Sequence, residues 1–318
     1  MKKLKLKLTI IGISLLSINA FAQDYVYNGI KNVDATIGMN NADGDSNQET
    51  VSEDCYDPAN IGKTIQAQGC ADLLIVNNAM LRNLVKTDGN YADTAIFTGQ
   101  VTDMSYLFCN FNHSSYPECT LKDPIYSISN WNTENVTDMS YMFRNSSYNQ
   151  PLNNWDVSNV TDMTGMFYLA SNFNQPLNDW NVSNVTDMWG LFYYTDNFNQ
   201  PLNDWDVSNV INMNNMFFYA SNFNQPLNNW NTNSVLYMNL TFSNAHSFNQ
   251  PLNNWEVNNV LTMQSMFESA FNFQQDISNW NVNNVTFNID EQTSKPYSFD
   301  LNSGFENQTA LQPNWEQN

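Results

Sequence analysis

The chain has 318 residues and a formal charge of −20, from 31 acidic against 11 basic side chains. Charge of that sign excludes nucleic acid and bare anionic membranes as partners and leaves cations, basic proteins and neutral glycans. With 42% hydrophobic and 14% aromatic residues, the chain is nonetheless too apolar to remain disordered.

The chain opens on Lys2, Lys3, Lys5 and Lys7, then an apolar run from Leu8 to Leu16, then Ala20-Phe21-Ala22. This is the pattern of a secretory signal, residues 1–22, cleaved before Gln23. The run is shorter than the ~20 residues a spanning helix needs, and no membrane span is expected after cleavage. Loss of the four leader lysines would take the formal charge from −20 to −24. Residues 23–98 read as a lead-in and capping region. Within them Asn41, Asp43 and Asp45 resemble part of a calcium loop, although Glu49 misses the final ligand position by one residue. Calcium is the one candidate ion, and no other cofactor is expected. A helix is predicted from about Asp72 to Lys86, with Leu74, Met80, Leu81, Leu84 and Val85 on one stripe and Asp72 as its cap.

Four cysteines in an exported chain point to disulfides. Each of the pairs Cys55–Cys70 and Cys109–Cys119 closes a short local loop. Cys109, His113 and Cys119 could instead approach a metal, but a structural zinc normally has four ligands.

Residues 99–286 repeat. Trp155, Trp180, Trp205, Trp230, Trp255 and Trp280 recur every 25 residues, in register with Pro151 to Pro251 and Met163 to Met263. Such a period marks a solenoid, in which each unit buries its apolar face against its neighbours. In one unit, Leu152, Trp155 and Val157 follow the leucine-rich-repeat pattern L-x-x-L-x-L. Trp155 and Val157 alternate with Asn154, Asp156 and Ser158, as a half-buried strand would. Val160, Met163, Met166, Phe167 and Ala170 fall at helical spacing, with Asn159 and Asp162 placed as a capping box. The fold class predicted is an α/β solenoid of leucine-rich-repeat-like coils, one short strand and one short helix per 25 residues. The Met and Phe columns, including Met166, Met216, Phe167 and Phe217, are expected in the core. Residues 287–318 would close the far end.

The string Trp155-Asp156-Val157-Ser158-Asn159-Val160-Thr161-Asp162-Met163, with Phe173-Asn174-Gln175-Pro176-Leu177, resembles the BspA-like repeat of bacterial surface proteins over about residues 95–286. The tail from Phe299 to Trp315 resembles the closing segment such proteins carry. The resemblance implies a leucine-rich-repeat-like solenoid outside the cell, with adhesion or host-protein binding known for some members.

Outward positions form the candidate site. Asn154, Asp179, Asp204 and Asn229 make one column, and Asp156, Asn181, Asp206 and Asn231 the next. Their carboxylates and amides suit a basic protein patch, a glycan or calcium. The competing reading is a solvated face with no ligand. Tyr168, Tyr193, Tyr194 and Tyr219 offer either an exposed aromatic patch or partial burial between coils. An enzyme is not expected, because no nucleophile, phosphate-loop or metal-hydrolase motif occurs. Asp179 and Asp204 could mimic a glycosidase pair, but a regular repeating face lacks a pocket for it. The expectation is a secreted or cell-surface adhesion module for a protein or glycan outside the cell. The alternative is a structural envelope or spacer protein.

Overall fold

The computed structural model describes residues 51–110, 122–286, 289 and 295–315. The expected leader, Asn41, Asp43, Asp45, His113 and Cys119 lie outside the described residues. Two compact units emerge, one within Met1–Thr102 and Pro124–Asn135, the other within Asp103–Asp123 and Val136–Asn318.

In the first unit a two-residue strand β1 (Leu74–Ile75) leads into helix α1 (Asn78–Lys86), and β2 (Ile96–Phe97) pairs with β1 in parallel. The helix starts later than its apolar stripe suggests. Asn77 caps it by accepting a hydrogen bond from the Met80 N–H at 3.0 Å. Asp72 lies in the left-handed region at φ 64°, and Leu74 belongs to the strand. Cys55 and Cys70 form a disulfide across 15 residues, and closing a loop of that size contributes about 3 kcal/mol in the chain-entropy view. Cys109, in the other unit, is also disulfide-bonded.

The coils of the second unit repeat as read from the sequence but, among the described residues, are not built of strands and helices. No α-helix occurs in its coils among the described residues. Phe167 shows why. The N–H groups of Met163, Gly165, Phe167 and Leu169 leave their coil and donate to the carbonyls of Asp187, Trp189, Leu191 and Tyr193, at 2.7–3.1 Å. The intervening N–H groups of Met166, Tyr168 and Ala170 donate three residues back, to Met163, Gly165 and Phe167. Each coil therefore alternates a tight turn with a parallel bond to the next coil. Turns advancing two residues at a time produce the apolar spacing that mimics a helix. The segment is entered by parallel bridges running Asp103, Asp138, Asp162, Asp187, Asn212, Tyr237 and Thr262.

This path needs residues at positive φ, spaced four apart in each coil: Tyr141 and Asn145, Gly165 and Leu169, Gly190 and Tyr194, Asn215 and Tyr219. The left-handed region strains most L-residues, so the bonds on both sides must hold them there. At Gly165 the need is also spatial, since a Cβ would come within 2.5 Å of the Tyr141 ring.

The core is stacked aromatic rings. Phe108, Phe143, Phe167, Phe192, Phe217, Phe242 and Phe267 form one column with centroids 5.5–5.8 Å apart. Phe173 through Phe273 form a second. The tryptophans of the 25-residue register, Trp155 to Trp280, are 2–4% exposed, and the indole N–H of Trp205 donates to the carbonyl of Leu177 in the previous coil at 2.8 Å. The same bond recurs from Trp180, Trp230, Trp255 and Trp280. The expected Met and Phe core columns are fully buried. Trp155 and Val157 point inward and Asn154 and Asp156 outward, so the predicted alternation holds without a strand. After the last coil, Phe299 and Phe305 meet Phe267 edge-on, at 83° and 88°, and end the face-to-face stack.

Asparagine and glutamine make the outer seam. Asn224 Oδ1 accepts the Asn249 N–H at 2.9 Å and the Gln250 side-chain amide at 3.0 Å, while the Asn224 N–H donates to Asn199 Oδ1 at 2.9 Å. The pattern runs from Asn149 to Gln275. Asn224→Ala strands two donors and should cost about 1–3 kcal/mol in urea unfolding. Asn224→Asp keeps the accepting oxygen and should cost less. An unchanged midpoint for Asn224→Ala would show that the seam carries no stability.

Candidate functional site

The outward columns are exposed as predicted, but half of them have a structural duty. Asp156, Asn181, Asp206 and Asn231 each accept, through Oδ1, the N–H two residues ahead, at 2.9, 3.2, 3.0 and 3.1 Å. Each closes an Asx turn, which either carboxylate or amide can do. The hydroxyl and backbone N–H of Ser208 hold the Asp206 carboxyl below its ordinary value, against a small opposing effect of burial. In the other column, Asn229 donates its N–H to Asn203 Oδ1 at 3.1 Å, and Asp179 accepts from the Asn178 amide at 2.9 Å. Asn154, Asp179, Asp204 and Asn229 all face solvent. Among the described residues no group of three or more His, Cys, Asp or Glu is arranged to hold a metal.

The residues read as helix caps do other work. Asn184 donates its side-chain amide to the Ser158 carbonyl of the previous coil at 2.6 Å, and Asn209 repeats this with Ser183 at 2.7 Å. Asp162 Oδ1 accepts the Thr164 N–H at 2.8 Å, as Asp103, Asp138 and Asp187 accept from Ser105, Ser140 and Trp189. These four carboxylates stack in adjacent coils, a column that the capping assignment concealed.

The tyrosines are neither free nor fully buried. Tyr168 and Tyr193 stack at 4.2 Å, Tyr193 and Phe218 at 4.7 Å, and Tyr194 and Tyr219 at 4.3 Å. The Arg144 guanidinium lies 5.4 Å from the Tyr141 centroid and 4.9 Å from that of Tyr168. The rings spend their faces on each other and offer mainly edges outward. Burial and the hydrogen bond with Tyr168 push the Tyr193 hydroxyl up to about 12.

Burial raises the Asp138 carboxyl above its ordinary 3.8, and the charges of Asp162 and Asp103 add to this while the Ser140 bonds oppose it. The folded state thus holds that proton more tightly than the unfolded chain. Stability from this group is absent at pH 7 and grows as pH falls through the raised value toward 3.8. Asp206 acts in the opposite sense, and its contribution is lost only below 3.8. Asp138→Asn keeps the turn, as Asn212 does in the same column with a 3.1 Å bond from Asn214. The substitution should raise Tm at pH 7 by a few degrees and weaken the gain in stability as pH falls toward 3.8. Equal pH profiles for both proteins would contradict this.

Among the described residues, no helix is long and apolar enough to cross a membrane. Disulfides such as Cys55–Cys70 persist in oxidising, extracytoplasmic surroundings. No curated protein matches the chain, and no solved structure does. The profile of the family described as "Mycoplasma protein of unknown function, DUF285" matches twice, over residues 102–218 and 201–304, and so spans the coils from the first turn ladder to the closing segment. The chain belongs to the DUF285 family.

Proposed function

We propose that this is an exported repeat protein that recognises a protein or glycan outside the cell through the outward Asn/Asp columns. The observation that carries the reading is the freedom of those positions. The turns at Asn181, Asp206 and Asn231 ask only for an Asx side chain, and Asn181 closes its turn as Asp206 does. Whether each position is charged is therefore left open by folding and available to a ligand. Asp179 and Asp204 add carboxylates from adjacent coils on the same exposed face. A solenoid presents such columns as an extended surface without a pocket, which suits binding better than catalysis. The leader-like start and the BspA-like repeat pattern support export and display.

The test is a binding screen of residues 23–318 on matrix proteins and glycans, with and without calcium. A saturable hit should weaken about tenfold or more in Asp179→Asn/Asp204→Asn/Asp206→Asn, which preserves the turns. A hit of unchanged affinity in that variant would remove the columns from the interface. A blank with every probe would favour the structural-spacer reading.

A further inference from the structure

One stretch of surface abandons the repeat pattern where folding has no use for the change. Successive coils are joined through a column whose members are Thr137, Thr161, Thr186, Ile211, Leu236 and Leu261. Thr186, Ile211, Leu236 and Leu261 each donate their N–H to the previous member at 2.9 Å. In Thr161 and Thr186 the hydroxyl reaches the same carbonyl, at 3.2 Å. From Ile211 to Leu261 that second bond is given up for an aliphatic side chain, and threonine returns at Thr286, whose N–H donates to the Leu261 carbonyl at 3.2 Å. In the adjoining bridged column the polar series Asp162, Asp187, Asn212 gives way to Tyr237. Ile211 is 41% exposed and Tyr237 37%, with Leu236 and Leu261 half-buried. Exposing apolar surface in exchange for a hydrogen bond costs stability, so the change answers to something outside the fold.

We infer that the Ile211–Leu236–Leu261 row, with Tyr237 beside it, docks a cationic amphipathic helix of a partner protein. The spacing fits such a helix. Stacked coils at about 4.8 Å place the ends of a three-coil row about 10 Å apart. Residues i, i+4 and i+7 of an α-helix cover about 10.5 Å along its axis. The charge is equally selective. No lysine or arginine occurs between Arg144 and Lys295. Asp187 adjoins the row, held by the Asn212 amide at 3.2 Å, and Glu256 is exposed on the coil that carries Leu261. A second copy of this anionic chain would be repelled, whereas lysines flanking an apolar helix face would be attracted.

The inference rests on the recognition reading but not on the Asn/Asp columns. The experiment titrates the full chain into a fluorescent Lys/Leu helical peptide of about four turns, and into a scrambled peptide of equal composition, by anisotropy at physiological salt. The ordered peptide should bind about tenfold or more tightly than the scrambled one. Ile211→Thr/Leu236→Thr/Leu261→Thr restores the threonine of the earlier coils. That variant should fold with unchanged Tm or better and lose the preference. The Asp179/Asp204/Asp206 variant should keep the preference, so the two surfaces fail separately. Equal binding of both peptides, no binding of either, or a dimer of the wild-type chain that the threonine variant abolishes would overturn the proposal.

Discussion

Everything in the coil unit depends on the handing of every second amide from one coil to the next. An irregular backbone cannot be buried unless its polar groups find partners. Here the even-numbered N–H groups of the Met163–Ala170 segment close turns within the coil and the odd-numbered ones satisfy the neighbour. That division replaces both helix and sheet. It also forces identical residues into stacked columns, so one aromatic per coil becomes a continuous ladder and one asparagine per coil a continuous seam.

The odd composition follows from this. Carboxamides carry donor and acceptor together, so an asparagine or glutamine can bond the coil on either side without bringing charge. Lysine and arginine have no place in such a seam, and the coils contain neither from residue 145 to 294. Where a column admits aspartate, as at Asp138, burial acts against it first and the neighbouring carboxylates add to that. Polar replacements inside the core are each satisfied: Thr241 donates to Met213 and Met238 carbonyls at 3.1 and 2.8 Å, and Thr195 to Phe167 at 2.8 Å. A structure so fully bonded along its length leaves variation to the exposed columns, and that is where a ligand can act.

Much of the fold was legible because the period is strict. The register of Trp155 to Trp280, the buried Met and Phe columns, the inward–outward alternation and the Cys55–Cys70 loop all read directly. The helix did not, because three-one-three spacing of apolar residues is shared by a helix and by turns that advance two at a time. A partial signal against a helix was present in the positions themselves: Gly165, Gly190, Asn215 and Ser265 share one left-handed column with Tyr141 and Leu240. Asn159 and Asp162 looked like a capping box because their types serve Asx turns and coil seams equally well. The candidate columns were placed correctly on the surface, but their turn-closing bonds were invisible without neighbours. The apolar row at Ile211, Leu236 and Leu261 was readable by comparing one repeat with the next, as Val-Thr-Asp-Met becomes Val-Ile-Asn-Met and Val-Leu-Tyr-Met. A search for consensus passes over such departures.

The coil is defined by where its amides point. The direct measurement is scalar coupling across hydrogen bonds by NMR on the deuterated chain. The Gly165 nitrogen should couple to the Trp189 carbonyl carbon, and the Phe167 nitrogen to that of Leu191. Couplings instead from Gly165 to Thr161 and from Phe167 to Met163 would mean an α-helix in each coil, and would contradict the turn ladder outright.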